Sequence, residues 1–398
     1  MAGFDEARIG RLRTALARHV EVGEVPGLVA LVDRGGETCV EVLGAAAVGG
    51  PPMRRDTVFR IASMTKPVLA AVTLSLVEEC LLRLDDPVDG WLPELAGRRV
   101  LRSLDAALED TVPARRPITL RDLLTFRMGT GVVMAPLGTY PIQTAMAEAG
   151  LMPGEVPPAA RPEEWLAALG ALPLMYQPGE VWQYHTGSDV LGILVERAVG
   201  KPLGEVFEER IFAPLGMRDT GFRIPAESLD RFATAYRPSP AGLSAYDTPA
   251  DSAWSAPVFA SGGGGLVSTA DDYLAFCRML LAEGRIPAGR GSAGRLLSRA
   301  SVRLMTTDQL TAGQREAARL FFGESRSWGM GCGVTVRRDE LWGSPGRFGW
   351  DGGAGTSGYA DPAEDLVGVL LTQRSMTSPE PPPVFRDFWT SAYQAIDA

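Results

Sequence analysis

Histidine and lysine are nearly missing from this chain of 398 residues. The histidines are His19 and His185, the lysines are Lys66 and Lys201, and the remainder of the 39 Lys+Arg residues, 39 less 2, is arginine. A metal centre built on several histidines is thereby excluded, and a Ser-His-Asp triad has only His185 or the helix residue His19 to draw on. Cysteine is scarce as well. Cys39, Cys80, Cys277 and Cys332 lie far apart with no Cys-x-x-Cys spacing, so neither a zinc site nor a redox pair is indicated and buried free thiols are expected. Long apolar runs are absent: the longest, Pro67 to Val77, stops at Glu78 and is too short for a bilayer. The first twenty residues carry Asp5, Glu6, Arg8, Arg11, Arg13 and Arg18, which leaves no apolar core for a secretory signal and reads as a cytoplasmic protein. The formal net charge of −9 argues against nucleic acid or an anionic membrane as partner, since phosphate binding needs a basic surface. Small neutral molecules fit better.

What is present is ordinary globular composition, with 45% hydrophobic and 22% charged residues, and a length that allows one large domain or two interlocked ones. Phe4, Ile9, Leu12, Leu16 and Val20 recur at helical spacing and predict an amphipathic first helix. Gly27 to Asp33 and Thr38 to Leu43 are β-rich runs around Gly35-Gly36, a hairpin pattern. A third short strand is expected at Thr57 to Ile61 and a helix from Met64 to Leu82. Helix-like segments joined by Pro and Gly loops follow to about residue 255. Beyond them come a helix near Ala270 to Leu281, strand-like runs at Gly331 to Arg337, Arg347 to Asp351, Gly358 to Asp361 and Leu366 to Thr372, and a last helix from Pro383 to Ile396. Strands at both ends with helices between predict an α/β domain from residues 1–80 and 256–398, with a mostly helical domain, residues 81–255, inserted in it and the active site between them.

The pattern that carries chemistry is Ser63-Met64-Thr65-Lys66, placed where a strand gives way to a helix. Positions i and i+3 share a helix face, so the Ser63 hydroxyl and the Lys66 amine can meet. A serine at a helix N-terminus also sits among N–H groups that favour developing negative charge. The plain alternative is that Ser63 caps the helix and Lys66 is solvated. Two lysines among 21 serines give a Ser-x-x-Lys match by chance with an expectation of roughly 0.1, so the motif needs company.

Ser63-Met64-Thr65-Lys66-Pro67 resembles the active-site motif of the serine β-lactamase and penicillin-binding-protein superfamily, closest to its β-lactamase-like (family VIII) carboxylesterases and to class C β-lactamases. Their second motif, a tyrosine on a loop of the helical domain, is matched by Pro178-Gly179-Glu180-Val181-Trp182-Gln183-Tyr184-His185-Thr186, followed by Asp189-Val190-Leu191-Gly192. Their third, on the edge strand of the sheet beside the active site, is matched by Trp350-Asp351-Gly352-Gly353. The three motifs occur in order over nearly the whole chain. The resemblance implies an antiparallel sheet flanked by helices with an inserted helical domain, no cofactor and no metal. It also implies catalytic roles for Ser63, Lys66 and Tyr184, oxyanion contacts from the N–H groups of Ser63 and Gly353, and substrate contacts at Trp350, Gly352 and Thr186.

Serine is a weak nucleophile and needs a base. Lysine and tyrosine, at about 10.4 and about 10, are both protonated near neutrality unless burial or a partner shifts them, and the sequence leaves open which of the coupled pair is the base. Trp350 stands where a lactamase or peptidase places a cation, and Thr186 where an amide would stand. Both favour neutral esters over penicillins or D-alanyl peptides. His185 is expected as a hydrogen-bonded loop residue, Leu123 to Gly129 as structural, and Gly262 to Gly265 as close backbone packing; Tyr140 and Trp254 are candidates for the pocket wall. The resulting expectation is a serine carboxylesterase on a small-molecule ester. Acyl transfer and amide hydrolysis (β-lactamase, D-aminopeptidase) are alternatives on the same fold, and an inactive binding or sensing protein is the non-enzymatic one.

Overall fold

The computed structural model describes residues 3–286 and 294–396. Its hairpin is β1 (Gly27–Arg34) and β2 (Glu37–Gly44), joined by Gly35 and Gly36 at φ 58° and 91°, the two positive φ values that a tight right-twisted hairpin turn requires. The other strands come from the far end of the chain: β3 (Arg326–Trp328), β4 (Gly333–Thr335), β5 (Phe348–Gly352), β6 (Thr356–Asp361) and β7 (Leu366–Thr372). They form one seven-stranded sheet in the order β2-β1-β7-β6-β5-β4-β3. All neighbours are antiparallel, and β1 joins β7 with Val29 opposite Leu371.

Helices cover both faces. α1 (Glu6–Glu21), capped by Asp5, and the C-terminal α5 (Pro383–Gln394) lie on one side, where Leu12, Leu16, Phe385, Phe388 and Trp389 pack against Leu28, Ala30 and Leu370. α2 (Thr65–Glu78) and α4 (Ala270–Leu281) occupy the other. α2 is apolar nearly all round, with Val68, Leu69, Val72, Leu74 and Leu76 all buried, as a helix enclosed on every side must be. α3 (Thr186–Val199) packs against it from the middle part of the chain.

Three expectations change. The expected strand Thr57 to Ile61 is shorter, with Phe59–Arg60 paired with Val267–Ser268 and Val58 bridged to Phe232, outside the seven-stranded sheet. The strand carrying the third motif, β5, is not the edge: β4 and β3 extend the sheet beyond it. Helices dominate the middle part, where two short strand pairs also occur, Arg99–Leu101 with Thr111–Pro113 and Ala235–Ser239 with Gly242–Asp247. Cys277 and Cys332 are buried thiols, but Cys80, just past the end of α2, is exposed and Cys39, on edge strand β2, is half-buried. Among the described residues no helix is long and apolar enough to cross a membrane.

Candidate active site

Ser63 sits in a single 3₁₀ turn, Ala62–Met64, that leads into α2. The turn is strained: Ala62 has φ 43°, a region that costs a residue with a Cβ about 1–2 kcal/mol. Three neighbours hold it. Thr65 Oγ1 donates to the Ala62 carbonyl at 2.7 Å and accepts from Leu266 N at 3.1 Å. The Tyr273 hydroxyl donates to the Met64 carbonyl at 3.1 Å, and Thr356 Oγ1 to that of Ile61 at 3.2 Å. A Cβ on Gly352 would collide with the Ile61 carbonyl, so glycine lets β5 close on the turn.

One turn along α2, Lys66 is 1% exposed. Its Nζ lies 2.8 Å from Ser63 Oγ, donates to the Gly263 carbonyl at 2.5 Å, and lies 3.3 Å from His185 Nδ1. Burial pulls the amine from 10.5 to about 7, against the opposing pull of the Asp189 charge. Tyr184 comes from the loop before α3, and Lys66 Nζ lies 4.7 Å from its ring centroid. Its hydroxyl accepts from Trp350 Nε1 at 2.6 Å and is hydrogen-bonded to Ser63. Burial pushes the phenol well up, against the smaller effect of those two hydrogen bonds. The ring is held in an aromatic cluster with Phe126, Trp182, Phe321 and Trp328. The segment Leu123 to Gly129 thus contributes Phe126 as packing.

The next residue, His185, has φ 80° and ψ −67°, and Thr186 N donates back to the Tyr184 carbonyl at 3.2 Å. That is a γ-turn of the strained, positive-φ kind. Its Nε2 lies 3.1 Å from Asp189 Oδ2. The other carboxylate oxygen accepts from Ser261 Oγ at 2.6 Å and from Gly263 N at 3.0 Å. Burial alone would raise the Asp189 carboxyl, but the hydrogen bonds from His185, Ser261 and Gly263 and the neighbouring imidazole hold it below the usual carboxylate range. Burial, and then the Lys66 charge, lower His185.

A cavity of about 430 Å³ opens above these groups. Ser63, Tyr184, Trp350 and Gly353 border it and Lys66 lies beneath Ser63. Gly352 and Thr186 do not border it: Gly352 packs behind the serine turn, and Thr186 is fully buried at the start of α3 with no partner for its hydroxyl. Trp254 is on the wall and Tyr140 is not. The wall is mainly apolar, with Val132, Met134, Met152, Val156 and Met376. Its two arginines are partnered. Arg60 is 2.6 Å from Asp247, and Arg326 is 3.9 Å from Asp351. Asp189, Ser261 and Gly263 escaped sequence reasoning; only the i, i+4 spacing of His185 and Asp189 offered a signal.

A seven-stranded antiparallel sheet with helices on both faces, and a serine and lysine one turn apart at the head of the enclosed helix, define the serine β-lactamase-like fold. The Beta-lactamase family model matches residues 12–385, and the chain belongs to that family. Protein Rv1367c of Mycobacterium tuberculosis is 41% identical over 81% of this chain and 79% of its own length. Esterase EstB of Burkholderia gladioli is 33% identical over 87% of this chain and 85% of its own. Among solved structures, EstCE1, described as a hydrolase with promiscuous acyltransferase activity, superposes with a TM-score of 0.79 at 25% identity, covering 98% of this chain and 99% of that one.

Proposed function

We propose that the chain is a carboxylesterase that cleaves small neutral esters through an acyl-enzyme on Ser63. The observation that carries this reading is the 2.8 Å contact from Lys66 Nζ to Ser63 Oγ, made by an amine that burial holds at about 7. Two titratable groups pushed in opposite directions divide the acid and base roles. Neutral Lys66 takes the Ser63 proton as Oγ bonds to the ester carbonyl carbon. The backbone N–H groups of Ser63 and Gly353, both at the cavity, receive the oxyanion, each worth about 3 kcal/mol. Tyr184, still a phenol because it is buried, gives its proton to the departing alkoxide and recovers one from Lys66. Trp350 Nε1–H steadies the phenol oxygen during that transfer. Water then attacks the acyl carbonyl by the same path in reverse, releasing the acid and restoring Ser63.

Neutral esters suit the site because both arginines of the wall are paired and the lining is mainly apolar. Thr186 stands at the motif position where a lactamase carries an asparagine, and it is buried away from the cavity. The kinship with an esterase, EstB, supports hydrolysis. Transfer of the acyl group to an alcohol or amine is the second reading, favoured by the apolar wall and by the description of EstCE1. The test is steady-state turnover of p-nitrophenyl acetate, butyrate and octanoate beside nitrocefin, with wild type and Ser63→Ala. Ester turnover lost in the variant, with little nitrocefin cleavage, is expected. Strong nitrocefin turnover would contradict the neutral-ester reading, and ester turnover that survives in Ser63→Ala would contradict the acyl-enzyme.

A further inference from the structure

Neutral lysine has two N–H bonds and one lone pair. To act as a base toward Ser63 it must aim the lone pair, not an N–H, at the serine hydroxyl. Three polar atoms surround Lys66 Nζ: Ser63 Oγ at 2.8 Å, the Gly263 carbonyl at 2.5 Å and His185 Nδ1 at 3.3 Å. A carbonyl only accepts. If Nδ1 also only accepts, the two N–H bonds are both taken and the lone pair is left for Ser63.

The tautomer of His185 is dictated from behind. Asp189 Oδ1 is occupied by Ser261 Oγ and Gly263 N, and Oδ2 faces His185 Nε2 at 3.1 Å. A carboxylate oxygen accepts and does not donate, so Nε2 carries the proton and the neutral ring presents a bare Nδ1 to the lysine. The backbone is committed to the same end. His185 occupies the strained γ-turn described above, of the kind that persists where surrounding structure enforces it. At residue 263, a Cβ would lie 2.9 Å from His185 Nε2 and 3.1 Å from Asp189 Oδ1, so glycine permits one residue to offer its carbonyl to Lys66 and its N–H to Asp189.

We infer that His185 and Asp189 are positioning residues: Asp189 fixes the His185 tautomer, and His185 with the Gly263 carbonyl orients the Lys66 lone pair onto Ser63. This rests on Ser63 being the nucleophile and Lys66 its base. The charged and titratable groups facing Lys66 are Asp189 and His185 from the α3 side and Tyr184 from the loop before it, with Asp351 of β5 behind Tyr184.

The test compares the acylation rate with p-nitrophenyl butyrate, across pH, in wild type, Asp189→Asn, His185→Ala, His185→Asn and Ser63→Ala. In Asp189→Asn the amide N–H₂ faces Nε2 and moves the ring proton to Nδ1, toward Lys66. Acylation is expected to fall by at least about a hundredfold, and its pH midpoint to drop because the Asp189 charge no longer supports the lysine ammonium. His185→Ala is expected to lose a similar factor. His185→Asn, which tolerates positive φ and returns an oxygen acceptor near the Nδ1 position, is expected to recover at least about tenfold over alanine. Asp189→Asn and His185→Ala at the wild-type rate and midpoint, with Ser63→Ala silent, would overturn the inference and leave the nucleophile standing. An asparagine at 185 no better than alanine would overturn it as well. Acylation that survives in Ser63→Ala would overturn the nucleophile and the inference with it.

Discussion

The chain's two histidines stand on opposite sides of the same sheet in opposite kinds of surroundings. His19, on α1, lies between two carboxylates, Glu24 at 2.5 Å and Asp387 at 2.8 Å, and ties α1 to the C-terminal helix above a layer of Leu12, Leu16, Phe385 and Phe388. His185 lies between an amine and a carboxylate, on a strained turn, beside a lysine that has no carboxylate within hydrogen-bonding distance among the described residues. The two lysines divide in the same way: Lys201 is exposed and paired with Glu209 at 2.6 Å, whereas Lys66 is buried against a serine and a carbonyl. His19 and Lys201 satisfy their polar groups with carboxylates, wherever they lie. Lys66 is instead kept out of water without a direct counter-charge, which lowers its affinity for a proton and is the condition a base near neutrality requires.

Substitutions on the two faces should therefore separate activity from stability. On the site face, Tyr184→Phe keeps the ring in its aromatic cluster but removes the proposed proton donor, and kcat for ester hydrolysis is expected to fall about a thousandfold with little change in melting temperature. A loss in stability as large as the loss in rate would erase the contrast. On the opposite face Leu16, fully buried between α1 and the sheet, predicts the reverse. Leu16→Ala should cost about 3 kcal/mol in denaturant unfolding and leave kcat per folded molecule unchanged. Trp350→Phe sharpens the comparison within the site, since it preserves an aromatic ring against Trp328 and deletes only the donor to Tyr184. Its expected effect is about tenfold in kcat, the worth of one hydrogen bond to a group that develops charge. Wild-type turnover in that variant would mean Trp350 acts as packing alone.

Much of this arrangement is legible in the sequence, and what escapes it has a physical reason. Ser63 and Lys66 are found because their contact is local, one helical turn, and Tyr184 because its surrounding motif resembles a family pattern. The hairpin at Gly35-Gly36 and the helix Ala270–Leu281 follow from turn chemistry and apolar spacing that tertiary packing does not override. Contacts between distant segments leave no such trace. The Trp350 indole meets the Tyr184 hydroxyl across 166 residues of chain, and Lys66 meets the Gly263 carbonyl across 197. Gly352 reads as a substrate contact by its place in a motif, whereas the Ile61 carbonyl is what needs a glycine there. The edge strand Arg326–Trp328 is three residues long, too short for an alternating pattern to register.

The measurement closest to the central claim is the pH dependence of kcat/KM for p-nitrophenyl butyrate. In the proposed mechanism Lys66 must be neutral to activate Ser63, and burial pulls the amine down to about 7. The predicted profile therefore falls about tenfold for each pH unit on the acid side and levels off above a single midpoint at about 7. A rate that stays flat from about pH 5 to about pH 9 would contradict a buried lysine base, and with it the division of labour between the two faces of the sheet.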